Sequence, residues 1–386
     1  MSGTRLQAGT QMKKKLCWVT TSPLIVNSAL IPHLQRLRQD YAVTLVVNVS
    51  EGTTLKPLPG VEIVSIPILR EIYPRDDVCA LWQLIRLFRE RKFDLVHSYG
   101  PKSGLLTALA AWIARIPIRL HTFTGQVWVT RRGPMRRILK EADRIIAGLA
   151  TAVLTDSPSQ KEFLVKSGIV REGACTVLGS GSVSGVDTTR FKANRVAREA
   201  IRMELEVPSD AVMILFLGRL NADKGIPELL HAFANLLTRH RNVFLALVGP
   251  DEGDCLKEIP NMGTASEHIR LRGYTPIPED FVAASDMLCL PSHREGFPLA
   301  IVEAAAAGIP TVASRIYGIS DAIVDGHTGL LHALADPIDL AVQLERLVAD
   351  PDFRCKLGEN ARRRVMAEFT EARLTGELAR FYLGLQ

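Results

Sequence analysis

Short β-branched runs alternate with amphipathic helical patterns along the whole 386-residue chain, and no other feature narrows the possible folds as much. In the first half the strand candidates are 15–20, 43–48, 94–97, 117–121, 152–155 and 175–178. Helical patterns lie at 27–39, 80–92, 102–114, 133–149 and 158–168. The second half repeats the scheme, with strands near 212–217, 243–248, 269–272, 286–290 and 310–314. Its clearest helix is 226–238, where Ile226, Leu229, Leu230, Phe233, Leu236 and Leu237 fall on one stripe. Such alternation predicts an α/β protein with two doubly wound parallel sheets, one in each half. Ligands of such sheets bind beyond the carboxyl ends of the strands, so a cleft between two facing domains is the expected site.

The domain boundary is expected near 186–195, after the Gly/Ser-rich "GSGSVSGVD", giving an N-terminal domain over 12–190 and a C-terminal one over 191–370. The glycine spacing there does not fit a dinucleotide fingerprint, and the run reads as an interdomain loop. Residues 371–386 read as a terminal helix that packs back on the first domain, and the segment before Met12 lies outside the expected fold. "MKKKLCWVTTSPLIV" mimics a signal peptide, but its apolar core is short and interrupted, so a first strand fits better. The longest uncharged apolar stretch elsewhere, about 104–114, is too short to span a bilayer. A soluble cytoplasmic protein is expected, in peripheral contact with the inner face of the plasma membrane.

Charge is unevenly shared. Residues 1–190 carry 26 Lys/Arg against 14 Asp/Glu, a balance of +12, while 191–386 carry 21 against 27, a balance of −6. The first half is therefore expected to meet something anionic, unless the excess is an ordinary solvated face. The six cysteines are scattered without a CxxC pair and read as small buried hydrophobes in a reducing compartment. No metal-ligand spacing occurs. Asp350 and Asp352, the one Asp-x-Asp, read as a helix-start turn.

Two stretches carry chemistry. In "REGFPLAIVEAAAAGIPTVAS", Glu295 and Glu303 stand eight apart around an almost wholly apolar block. Gly296 and Pro298 place Glu295 in a loop, with Pro298 near the first helical position and Glu303 about two turns deeper. Backbone N–H groups around Gly296, Phe297 and Leu299 then make an anion seat at a helix N-terminus. In "LFLGRLNADKGIPELL", Gly218 and Arg219 end a strand and Lys224 precedes a helix, so two cations five apart can embrace a diphosphate. A surface arginine and a helix-flanking lysine are the plain alternative.

Together, "LGRLNADKG", "LVGPDEGD" and "RGYTPIPEDFVAASDMLCLPSHREGFPLAIVEAAAAGIPTVAS" resemble the C-terminal domain of GT-B glycosyltransferases of the retaining family 4, over about 170 residues in order. Glu295 and Glu303 occupy the two positions of that family's Glu-x7-Glu signature. The resemblance implies that Arg219 and Lys224 hold the donor diphosphate, Glu303 binds the ribose hydroxyls and Glu295 lies against the donor sugar. It places Tyr274 beside the base. In the first half, "HSYGPKSG" and "RLHTFTGQVW" resemble segments of bacterial surface-polysaccharide members. His121 then matches the family's catalytic-pocket histidine, with a buried structural histidine as the alternative, and Lys102 is positioned to neutralise a phosphate. His97 reads as structural as readily as functional. "VTTSPLIVNSALIPHL" departs from the glycine-rich first loop of many relatives.

"WVTRRGPMRRILK" sets Arg131, Arg132, Arg136 and Arg137 beside Trp128, Met135, Ile138 and Leu139, a composition suited to an anionic membrane surface or to an ordinary exposed helix. The resulting expectation is a retaining glycosyltransferase. It would move a hexose or N-acetylhexosamine from a nucleoside diphosphate sugar, UDP foremost, to a lipid-linked saccharide during bacterial surface-glycan assembly. No metal or other cofactor is expected, and no nucleic-acid module is recognised. A GT-B sugar-nucleotide epimerase, a phosphorylase and a catalytically silent sugar-nucleotide or membrane binder are the rival readings.

Overall fold

The computed structural model describes residues 13–50 and 54–385, so the expectation concerning the segment before Met12 lies outside the described residues. Among the described residues thirteen strands form two sheets. The first has seven strands: β1 (Lys14–Val19), β2 (Tyr41–Val47), β3 (Glu62–Ser65), β4 (Leu95–Tyr99), β5 (Ile118–Phe123), β6 (Ala152–Thr155) and β7 (Thr176–Val177), ordered β3-β2-β1-β4-β5-β6-β7. The second has six: β8 (Val212–Leu217), β9 (Val243–Val248), β10 (Ile269–Arg272), β11 (Met287–Leu290), β12 (Thr311–Ser314) and β13 (Gly329–His332), ordered β10-β9-β8-β11-β12-β13. Pairing is parallel, with Leu16 opposite Val43 between β1 and β2 and Ile214 opposite Leu245 between β8 and β9. Both halves are thus the doubly wound α/β sheets that the alternation predicts.

Contacts cluster the chain into two compact units: the described residues up to Thr122 with Ile145–Ala152, and Phe123–Arg144 with Val153–Gly384. In the first unit, Cys17, Val19 and Val96 of the strands pack with Ala80, Leu84 and Phe88 of the helix Pro74–Arg91. In the second unit, the helix Ile226–Leu237 buries Ile226, Leu229, Leu230, Ala232, Phe233 and Leu236, the stripe read from its spacing. Phe233 is fully buried, and truncation to Ala at such a position costs about 3–5 kcal/mol. The strands β8, β9 and β11 are buried almost throughout, which is why they read as unbroken apolar runs rather than as alternating patterns.

Differences from the sequence reading are local. β3 and β13 were not anticipated; β3 is an exposed edge strand and both have only four residues. The first helical pattern contains a π-helical stretch, Val26–Leu30, ahead of the helix Ile31–Leu37. Asp350 is a helix start as expected, its carboxylate accepting from the Phe353 N–H at 2.9 Å. Among the described residues no helix is long and apolar enough to cross a membrane.

Candidate donor-binding site

In the second sheet the strand order reverses between β8 and β11, and both strands end in the loops that hold the site residues expected from the sequence. The chain leaves β8 through Gly218 and Arg219, turns through Asn221 and re-enters a helix at Ile226. The Asn221 side chain fixes that turn by accepting from the Lys224 N–H at 3.1 Å. β11 runs out into Pro291–Pro298, an irregular stretch that holds Glu295 outside any helix. One expectation needs correction. Pro298 is the N-cap, not the first helical residue, and the helix Leu299–Ala306 starts one position later. No side chain caps that N-terminus, so the first N–H groups remain open to an anion.

Ion pairs stitch the two loops together. Lys224 Nζ meets Glu295 Oε1 at 2.5 Å, and Arg219 meets Glu252 at 2.7 Å. The Arg294 guanidinium takes Asp223 Oδ2 at 3.0 and 3.1 Å through two nitrogens, and His293 Nε2 meets Glu228 at 3.0 Å. Glu303 lies on the helix, partly buried, where desolvation pushes its carboxyl up to about 7. The Arg190 charge opposes that rise and the Glu279 charge adds to it, while Arg190 and Glu279 pair at 2.6 Å. Phe297 is buried against Phe369, ring centroids 5.2 Å apart, and so anchors the loop between the two glutamates.

A second wall belongs to the same unit. Thr124, Gly125 and Gln126, just past β5, lie along the Glu295–Gly296 peptide. Arg294 donates to the Gly125 carbonyl at 3.4 Å, Gln160 Nε2 donates to the Thr124 carbonyl at 2.6 Å, and the Gln126 N–H donates to Tyr317 Oη at 3.3 Å. The Tyr317 ring stacks on Phe163, which stacks on Trp128, with centroids 4.5 and 5.3 Å apart. Sequence reasoning missed this wall. Arg294 stood in the quoted motif without a role, while Asp223, Gln160 and Tyr317 are tied to it only by the fold.

The second unit therefore gathers Gly218, Arg219, Lys224, Glu295, Gly296, Phe297, Pro298, Leu299 and Glu303 around the ends of β8 and β11. Tyr274 follows β10 and is half exposed, its ring open to solvent. His121 and Lys102 belong to the first unit. His121 is 2 % exposed; Ser98 Oγ lies 2.9 Å from its Nδ1, and Gly104 has no room for a side chain, since a Cβ would come 2.5 Å from the ring. Burial drives its pKa down to about 3, so at neutral pH the imidazole is uncharged. His97 is likewise buried, 2.7 Å from Thr122 Oγ1 and packed on Trp18. Lys102 is paired with Asp77, both largely covered, so its charge is already matched.

The basic segment also needs correction at one residue. Trp128 is 1 % exposed and donates its indole N–H to Asp143 at 2.7 Å, so it does not face outward. Arg136 and Lys140 lie over its ring at 6.0 and 5.4 Å. Arg131, Arg132, Arg136 and Arg137 are all exposed, and the apolar groups among them that reach solvent are Met135 and Ile138.

Residues 197–364 match the family model described as glycosyl transferases group 1, and residues 29–181 match a glycosyl transferase 4-like domain. The chain is 30 % identical over 340 residues to the capsular polysaccharide biosynthesis glycosyltransferase CapM of Staphylococcus aureus, covering 86 % of this chain and 88 % of CapM. It is 25 % identical to the putative glycosyltransferase EpsD of Bacillus subtilis, covering 96 % and 97 % of the two chains. Among solved structures, Anabaena HepE in complex with UDP and glucose superposes with a TM-score of 0.79 at 19 % identity, over 96 % of this chain and 99 % of HepE. WaaG, a glycosyltransferase involved in lipopolysaccharide biosynthesis, gives 0.75 at 16 % identity, over 95 % and 99 %. Two parallel α/β sheets of the GT-B fold class, the two matched models and the extended identity to CapM make this chain a member of the group 1 glycosyltransferases.

Proposed function

We propose that this glycosyltransferase takes a hexose or N-acetylhexosamine from a nucleoside diphosphate sugar, UDP foremost, and adds it with retention to a lipid-linked saccharide in surface-glycan assembly. The observation that carries the proposal is the meeting of Arg219, Lys224 and an uncapped helix N-terminus with Glu303 about one turn deeper. In this reading the two side-chain cations and the helix start hold the diphosphate, and ionised Glu303 accepts from the ribose hydroxyls. Glu295, with Gly296, lines the sugar end. HepE, whose structure holds UDP and glucose, and CapM, named for capsular polysaccharide, support the donor class and the pathway class.

As the glycosidic C–O bond lengthens, positive charge grows on the sugar and negative charge on the leaving diphosphate. Preorganised Arg219, Lys224 and helix N–H groups stabilise the latter, a contribution worth several kcal/mol in such sites. Retention has the acceptor hydroxyl attack from the leaving-group side, with the departing phosphate oxygen taking its proton. Charge neutralisation falls to side chains, so the reading calls for no cofactor. His121, uncharged and enclosed, serves it as a packing group rather than as an acid or base. The exposed Arg131, Arg132, Arg136 and Arg137, with Met135 and Ile138, would hold the protein peripherally to an anionic inner leaflet, at about 1 kcal/mol per basic residue near the surface.

The test is a thermal-shift screen of nucleoside diphosphates and their sugars on wild type and Glu303→Ala. A ligand at 100 times its Kd stabilises by about 2.7 kcal/mol. One sugar nucleotide should stabilise wild type and not the variant; no stabilisation by any of them would end the donor assignment.

A further inference from the structure

Asp156 plays no part in the charge scheme above, yet it sits in the wall of the same site. It follows β6 directly and precedes the helix Pro158–Lys166, whose cap is Ser157. Its backbone is fully engaged: the N–H donates to Gln160 Oε1 at 2.8 Å, and the carbonyl accepts from the Ser182 N–H at 2.8 Å. Its side chain is another matter. The residue is 3 % exposed, and burial is the one influence on its carboxyl group, with neither a charge nor a hydrogen bond from the described residues acting on it. Burial raises its pKa well above the ordinary carboxylate range.

Its position is specific. Oδ2 lies against the Cα of Gly296, the residue next to Glu295. A Cβ on Gly296 would come 2.5 Å from that oxygen, 2.9 Å from the Gly125 nitrogen and 3.2 Å from the Thr124 carbonyl carbon. The contacts of Gln160, Arg294 and Tyr317 with residues 124–126 hold this wall in place. A buried polar group without a partner costs about 1–3 kcal/mol, and one lodged in the wall of a ligand site is explained when the ligand supplies the partner.

We infer that Asp156 is a specificity-determining residue of the donor site, its carboxyl group hydrogen-bonding a hydroxyl of the donor's sugar ring beside Gly296. The inference rests on the assignment of the Glu295–Gly296 end to the sugar. It gives the site a contact that recognises the sugar and leaves the nucleotide untouched. The alternative is a carboxyl that only fills space beside a glycine.

Calorimetric titration with UDP, GDP and ADP and with their hexoses and N-acetylhexosamines separates the two. The quantity read is the ratio of Kd for the best nucleoside diphosphate to Kd for its best sugar conjugate. Asp156→Ala should weaken the conjugate about tenfold and the bare diphosphate less than twofold, while Asp156→Asn, which still donates and accepts, should restore most of the loss. An unchanged ratio in Asp156→Ala would overturn the inference, as would an equal loss for both ligands. Retained diphosphate binding reports that a variant is folded; should the Ala variant fail that check, Asp156→Ser gives the same ratio. If wild type binds no nucleoside diphosphate at all, the donor assignment fails and the role of Asp156 fails with it. If wild type binds both ligands and the ratio stays fixed, Asp156 alone is refuted.

Discussion

The two sheets share the order in which a third, a second and a first strand are followed by a fourth, yet the ends of their central strands are furnished in opposite ways. At β4 and β5 the polar groups turn inward and satisfy one another: His97 with Thr122, His121 with Ser98, and nearby Lys102 with Asp77. At β8 and β11 the charged groups pair across loops, Arg219 with Glu252 and Arg294 with Asp223 partly open, and Lys224 with Glu295 largely covered. Buried neutral pairs specify packing. Half-open ion pairs can be exchanged for a ligand's charges at modest cost, because solvent already weakens them. The same topology thus carries an end of buried, mutually satisfied polar groups in one unit and, in the other, the charged end to which the proposed function assigns the donor.

The largest expected break in that comparison is Lys224→Met. Loss of this cation removes diphosphate stabilisation in the transition state and leaves Glu295 without its partner, so kcat should fall about 10²–10³-fold. Steady-state kinetics with the donor found by the screen measures it. A fall in affinity with kcat unchanged would recast Lys224 as a binding group only.

Gly104→Ala probes the inward-turned end. The new methyl would stand 2.5 Å from one His121 ring carbon and 3.1 Å from Ile146 Cδ1, with little room to yield. Overpacking of this kind costs about 1–3 kcal/mol, read as a drop in melting temperature, while nucleotide affinity should hold within twofold. A loss of nucleotide affinity larger than the loss of stability would return His121 to the reaction.

How much of this was legible in the sequence follows the same division. Arg219, Lys224, Glu295 and Glu303 could be grouped because each lies within a few residues of a strand or helix end, and strand ends of a parallel sheet converge by topology alone. The inward turn of Trp128 could not be read, because Phe163 and Asp143, which enclose it, lie 35 and 15 residues away and meet it only in the fold. The same holds for Asp156 against Gly296. β3 escaped because it is a mostly exposed edge strand without an apolar run, and β13 because Gly329 and His332 leave only Leu330 and Leu331 to signal it. Pro298 was displaced by one position because proline suits both the cap and the first turn.

Glu303 offers a pH test of the open end. Its carboxyl sits at about 7 in the folded protein, above the ordinary 4.5, so its protonated form favours folding below 4.5 and that contribution is lost as pH rises towards 7. Ligand binding runs the other way, since only the ionised form accepts from two ribose hydroxyls. Nucleoside diphosphate affinity should therefore strengthen about tenfold between pH 6 and pH 8 and level off above. Glu303→Gln should bind more weakly and flatten the profile. A wild-type affinity that does not vary over this range would mean that Glu303 does not accept from the ribose as a carboxylate.

The smallest effect is expected at Glu252, and it is the sharpest statement of what half-open pairs do. Its carboxylate holds the Arg219 guanidinium at 2.7 Å, with both side chains about a quarter to a third exposed. A diphosphate that binds Arg219 competes with that carboxylate, and an exposed pair of this kind resists by no more than about 1 kcal/mol. Glu252→Gln keeps the shape and removes the charge, so donor affinity should rise severalfold, more at low salt than at high, because the added attraction is screened by ions. Titration at two ionic strengths checks both parts. Were affinity to fall instead, the pair would be orienting Arg219 for the phosphate rather than competing with it, and the open end would resemble the closed one in using its partners to hold geometry.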